Sequence, residues 1–137
     1  MTQHLTAAQF REITKPVKKP RARPEYDLHC AVVEYIHSVW PTNLAHHAAN
    51  GEIRNKATAA RLKRMGVRRG VPDLCIPYGR GRTLWLEIKA SKGRTSPQQE
   101  AFIERLRAFD HHVAIIRSVE DVKNTFKALG IITKESV

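Results

Sequence analysis

Residues 70–89, GVPDLCIPYGRGRTLWLEIK, constrain the fold more than any other stretch. Two short apolar runs, residues 74–77 and 83–88, are joined by Tyr78-Gly79-Arg80-Gly81-Arg82. β-prone runs on either side of glycine-rich turn residues predict a β-hairpin. Strand side chains alternate between faces, so Leu84, Leu86 and Ile88 share one face and Trp85, Glu87 and Lys89 the other. Asp73 stands at the mouth of the first strand, directly after Pro72. It can converge with the carboxylate and ammonium that lie two residues apart on the second strand. Paired acidic oxygens at such a point suit a hard divalent cation such as Mg²⁺ or Mn²⁺. The plain alternative is that Glu87-x-Lys89 is merely the solvent face of a half-buried sheet. Asp73 at hairpin distance favours the first reading.

Charge narrows the partners. The net charge is +11 in 137 residues, and it is unevenly placed. Residues 95–137 hold six basic and six acidic side chains, whereas residues 15–94 hold 17 basic and six acidic. A one-sided basic domain meets a polyanion, and nucleic acid is the default. A basic helix lying on a membrane would need a large apolar face that no basic segment here has. No apolar run nears the roughly 20 residues of a membrane span, and no signal-peptide core is visible, so the expected location is cytoplasmic. The length suits one domain with a single core. Cys30 and Cys75 lack CxxC spacing and read as free thiols in a reducing compartment. The adjacent pairs His46-His47 and His111-His112 point to opposite faces of a strand and read as non-ligands.

Taken in order, residues 1–23 form a basic arm in which Lys15, Lys18, Lys19, Arg21 and Arg23 interleave with prolines. It is expected to be extended, apart from a short helix near residues 6–13. The folded domain is expected over residues 24–137. Residues 25–40 read as a helix between Pro24 and Pro41, with Leu28, Val32, Tyr35, Ile36 and Val39 as its apolar stripe. Glu25 falls on that stripe and Glu34 about opposite, so Glu25 is the acid expected to face inward; His29 flanks it. A first-turn acid is also favoured by the helix dipole alone. Residues 43–49 predict a strand and Asn50-Gly51 a turn.

A helix follows at about residues 58–65, closed by Gly66. Arg54, Lys56, Arg61, Lys63, Arg64, Arg68 and Arg69 cluster around it, just before Asp73 and against the single acid Glu52. Seven cations beside a proposed site suit phosphate binding better than a mixed, solvated face. Beyond the hairpin, Lys92 and Arg94 lie in a polar loop. Ser96-x-x-Gln99 with Pro97 opens a further helix as a capping box, its apolar face supplied by Ala101, Phe102, Ile103, Leu106 and Phe109. Residues 113–116 read as a buried strand and 119–129 as a last helix capped by Ser118. The order is α-β-α-β-β-α-β-α, an α/β fold with one mixed sheet.

With these residues in place the chain resembles the PD-(D/E)xK nuclease superfamily, through Asp73 and Glu87-x-Lys89 and through the order of its elements. More closely, Gly66-Val67-Arg68-Arg69-Gly70-Val71-Pro72-Asp73-Leu74 is similar to the signature of VRR-NUC nucleases. Ser96-Pro97-Gln98-Gln99-Glu100-Ala101-Phe102 resembles that family's glutamine-bearing helix, the Pro24-Glu25 helix its first motif, and Asn50 its asparagine after the first strand. The likeness covers roughly residues 24–120.

The resemblance implies a metal-dependent deoxyribonuclease with a PD-(D/E)xK core. Asp73, Glu87, the Ile88 carbonyl and Glu25 would hold Mg²⁺ or Mn²⁺. Lys89 would orient the attacking water, and Gln99 would position Lys89 or the phosphate. Stand-alone members resemble Holliday junction resolvases, homodimers that cut branched DNA symmetrically, and a chain of this length is expected to be of that type. A flap- or nick-directed repair nuclease and a non-catalytic DNA-binding module on the same fold are the alternatives.

Overall fold

The computed structural model of the chain describes residues 6–8, 23–48 and 55–136. Most of the basic arm, Asn50-Gly51 and Arg54 lie outside the described residues. Four helices and four strands follow in order: α1 (Pro24–Val39), β1 (His46–His47), α2 (Lys56–Arg64), β2 (Leu74–Tyr78), β3 (Arg82–Ile88), α3 (Pro97–Ala108), β4 (His112–Ile116) and α4 (Val119–Ala128). This is the expected α-β-α-β-β-α-β-α order. The strands form one mixed sheet in the order β1-β2-β3-β4. The first two pairings are antiparallel, and β3 and β4 run parallel, joined by a crossover through α3. A parallel pair needs such a crossover because a tight turn cannot reverse the chain twice.

Strand register sorts the side chains into two faces. Leu74 pairs with Leu86 and Ile76 with Leu84, so these residues and Ile88 point to one side. There they pack with Val32 and Ile36 of α1, Val122 and Phe126 of α4, Ile116 and Ile131, forming the core. Each such fully buried aliphatic side chain contributes about 1.5–3 kcal/mol relative to leaving it in water. The α1 stripe therefore buries as its spacing predicts. Its first turn does not: Glu25 is exposed. Placed two turns ahead of Val32, it lies beyond the buried part of the stripe.

The opposite face of β3 carries Thr83, Trp85, Glu87 and then Lys89, and α3 covers part of it. Helix α3 buries Ile103 and half-buries Phe102 and Leu106, but Phe109 is 80% exposed. The expected apolar face stops short because the helix ends at Ala108 and Asp110, at φ 63°, turns the chain away. The first expected strand is shorter as well, two residues at the sheet edge in place of seven. Helix α2 starts earlier than expected, with the Asn55 side chain accepting the Thr58 N–H at 2.8 Å. Among the described residues no helix is long and apolar enough to cross a membrane.

Candidate active site

The hairpin brings the acids together by register alone. Because Leu74 faces Leu86, the residue before it, Asp73, lies opposite Glu87. The Ile88 N–H donates to Asp73 Oδ2 at 2.7 Å, which fixes that carboxylate at the strand mouth.

Glu87 and Lys89 are the charged side chains buried among the described residues, at 1% and 7% exposure. Burying a charge is costly unless it is paired, and here both are. Lys89 Nζ lies 3.2 Å from Glu87 Oε1. Gln99 Nε2 donates to the same oxygen at 2.7 Å. Glu87 Oε2 is buried and meets no partner among the described residues. Burial, reinforced by the Asp73 carboxylate, raises the Glu87 pKa to about 7 from the usual 4.5, although Lys89 pulls the other way. The exposed Glu25 adds a smaller push in the same direction, which places it within electrostatic reach of Glu87.

Gln99 serves the site through its place on α3. Its Oε1 accepts the Ser96 N–H at 2.8 Å, and Ser96 Oγ accepts the Gln99 N–H at 3.2 Å, closing the expected capping box. The box points the remaining NH₂ group at Glu87. Gln99 thus meets the same carboxylate oxygen that Lys89 touches. Gly70 shows how closely the segment before Asp73 lies against this helix turn. It sits at φ 84°, and a Cβ there would overlap the Gln98 carbonyl. The loop after β3 is tied down too, since Arg117 Nη1 donates to the Ala90 and Gly93 carbonyls, each at 2.8 Å.

Two histidines, His29 and His47, stand beside Asp73. His47 Nδ1 lies 2.6 Å from the Asp73 carbonyl, and its ring stands edge-on to His29 with centroids 4.7 Å apart. His29 falls where expected, one turn after Glu25; burial lowers its pKa, offset in part by Asp73. The sequence alone puts His47 among the non-ligands, because adjacent histidines on a strand point to opposite faces. They do, but pairing of His47 with Leu74 puts it beside Asp73. No sequence signal carries that pairing.

Of the basic residues, Lys56, Arg61, Lys63, Arg64, Arg68, Arg69, Lys92 and Arg94 are all exposed. Helix α2 buries none of its residues. It presents its cations rather than packing a core.

The donor chemistry fits a hard divalent cation: oxygen ligands from Asp73 and Glu87, one of them a buried carboxylate oxygen still without a partner. A mixed α/β sheet with Asp on one strand and Glu-x-Lys on its antiparallel neighbour is the core of a PD-(D/E)xK nuclease. Comparison with known proteins makes this more specific. The VRR-NUC domain family model matches residues 21–120. The chain therefore belongs to the VRR-NUC domain family of nucleases. A solved structure described as a VRR_NUC domain protein has the same fold, with a TM-score of 0.64 at 22% identity, covering 80% of this chain and 89% of that one. Among curated proteins none matches the chain in sequence.

Proposed function

We propose that the protein is a Mg²⁺- or Mn²⁺-dependent endonuclease that hydrolyses phosphodiester bonds in branched DNA, with the four-way Holliday junction as its substrate and a homodimer as its working form. The observation that carries the metal-dependent chemistry is Glu87 Oε2, a carboxylate oxygen that is buried and has no hydrogen-bond partner among the described residues. A group with that burial and no partner is costly to keep unless something binds it.

Asp73 and Glu87 would hold the ion, with the Ile88 carbonyl and Glu25 directly or through water. Once bound it would acidify the attacking water and polarise the scissile phosphate. The chain's own residues do the rest. Lys89 Nζ, held at 3.2 Å from Glu87, orients the water and offsets the negative charge that develops on the phosphate. Gln99 and Lys89 together fix the Glu87 carboxylate, leaving Oε2 as the free ligand atom. The exposed cations of α2, with Arg68, Arg69, Lys92 and Arg94, hold the DNA backbone by phosphate contacts. Arg54 and the basic arm of residues 1–23 would extend that surface.

The junction assignment rests on symmetry. A four-way junction is two-fold, and a C2 dimer places one site on each of two strands. Phe109 and Ile132, 80% and 76% exposed, leave apolar surface near the ends of the last two helices for a second copy. The test is cleavage of end-labelled four-way junction, flap and linear duplex with Mg²⁺ or Mn²⁺, against Asp73→Ala and EDTA. Paired symmetric nicks in the junction, lost in the variant, are expected. Cutting confined to the flap would keep the active site and discard the dimeric resolvase.

A further inference from the structure

Beside the acid–lysine pair, three side chains from three different elements converge. His29 of α1, His47 of β1 and Asp73 ahead of β2 each offer one ligand atom, and these atoms lie within 4.8 Å of one another. We propose that His29, His47 and Asp73 form a second cation position, one that takes a borderline transition metal such as Zn²⁺ or Co²⁺ in preference to Mg²⁺.

The donor set decides the class of ion. Two imidazoles and one carboxylate suit Zn²⁺, Co²⁺ and their neighbours, whereas Mg²⁺ favours oxygen ligands and retains its waters. Asp73 and Glu87 by themselves offer only oxygen. The two positions therefore differ in chemistry although they share Asp73.

The ligands are also held in place. His47 Nδ1 is 2.6 Å from the Asp73 carbonyl, so as an N–H it donates there and leaves the Nε2 lone pair for a metal. A metal-binding histidine is commonly oriented this way, by a carbonyl that takes its other ring nitrogen. Asp73 is anchored through Oδ2 by the Ile88 N–H, which leaves Oδ1 available. His29 sits on a helix whose next turn is buried in the core at Val32, with its ring edge-on to His47. Three ligands on fixed backbones need little reorganisation to bind. His47 is exposed, so an ion can reach the site and keep water in a further position. Edge-to-face packing of two histidine rings explains the ring contact alone; it leaves the carboxylate unexplained.

Metal binding by these three residues does not depend on nuclease activity. Its test is a Co²⁺ titration of the full chain, followed by visible absorption, with Zn²⁺ and Mg²⁺ as competitors. Wild type should develop saturable ligand-field absorption that Zn²⁺ removes and excess Mg²⁺ does not. His29→Ala and His47→Ala should each weaken Co²⁺ binding by roughly 10–100-fold, at least the effect of losing a group that merely orients a ligand. Glu87→Gln should retain it. Circular dichroism checks that the variants fold, and His29→Asn and His47→Asn replace any that do not.

Unchanged Co²⁺ affinity in both histidine variants would overturn the proposal. So would displacement by Mg²⁺, or a sulfur-to-cobalt charge-transfer band, which would assign the ion to Cys30 or Cys75. Loss of binding in Glu87→Gln alone would likewise overturn it, while leaving the acid centre of the nuclease intact. Conversely, histidine-dependent Co²⁺ binding in a protein that cuts no DNA would sustain this site and discard the proposed function.

Discussion

Gln99 donates its side-chain amide to Glu87 at 2.7 Å while the same side chain caps its own helix by accepting the Ser96 N–H. One residue thus joins the helix start to the acid. Gln99→Ala should remove both contacts, costing about 1–2 kcal/mol of stability. It should also slow cleavage by roughly 10–100-fold, as loss of an orienting partner does. Gln99→Glu keeps a cap acceptor but sets a second carboxylate against Glu87. If cleavage by Gln99→Glu matched wild type, the amide–carboxylate contact would have no role in the reaction.

The raised Glu87 pKa, about 7, makes a pH prediction for the ion-free protein. The folded state holds this proton more tightly than the unfolded chain, whose carboxyl titrates near 4.5. The stability this group contributes is therefore fully present below about pH 4.5 and is lost as pH rises through 7. Denaturant unfolding in EDTA should show wild type losing stability relative to Glu87→Gln between pH 5 and 8, by about that linkage. Parallel pH profiles for the two proteins would mean that Glu87 is ionised throughout.

Lys89→Ala should abolish cleavage, by roughly 100-fold or more, because a positioned cation at developing charge is lost. DNA binding, measured by fluorescence anisotropy, should be nearly unchanged, since it rests on the exposed cations. A variant that lost binding and cleavage in equal measure would make Lys89 a phosphate contact rather than a catalytic one.

Gly70 and Gly66 form a matched pair. Both have positive φ, 84° and 101°, but only at Gly70 would a Cβ overlap a neighbour, the Gln98 carbonyl. Gly70→Ala should cost about 2–4 kcal/mol, from backbone strain and overpacking together, and should impair cleavage by displacing the α3 turn that holds Gln99. At Gly66, where nothing lies within 4 Å, alanine should cost only the strain, about 1 kcal/mol. Thermal unfolding of the two variants distinguishes these values.

Replacing Arg61, Lys63 and Arg64 together by alanine should weaken DNA binding uniformly across substrates. The slope of log K against log salt should fall by roughly one for each phosphate contact removed. Because α2 buries none of its residues, the fold should be unaffected. An unchanged salt slope would return these cations to the role of a solvated face.

How much of this is readable in the chain depends on the range of each interaction. The hairpin at residues 70–89, the Ser96 capping box and the apolar stripe of α1 follow from local rules: alternation along a strand, reach across one helical turn, and period 3.6. Because strands paired through a short turn have few registers, the meeting of Asp73 with Glu87-x-Lys89 is local too. Where helices stop is less local: Phe109 belongs to the α3 pattern but stands at the residue where the helix ends.

The sequence by itself determined the acids, the lysine, the basic surface and the order of the elements, because each is carried by neighbours within a few residues. Only the tertiary structure decided that Gln99 meets Glu87, that Glu25 is exposed, and that His47 stands with His29 beside Asp73. Those outcomes depend on which faces of separate elements meet, on an edge strand of two residues and on a helix laid across the sheet. The packing of distant segments sets them, and no spacing along the chain records it.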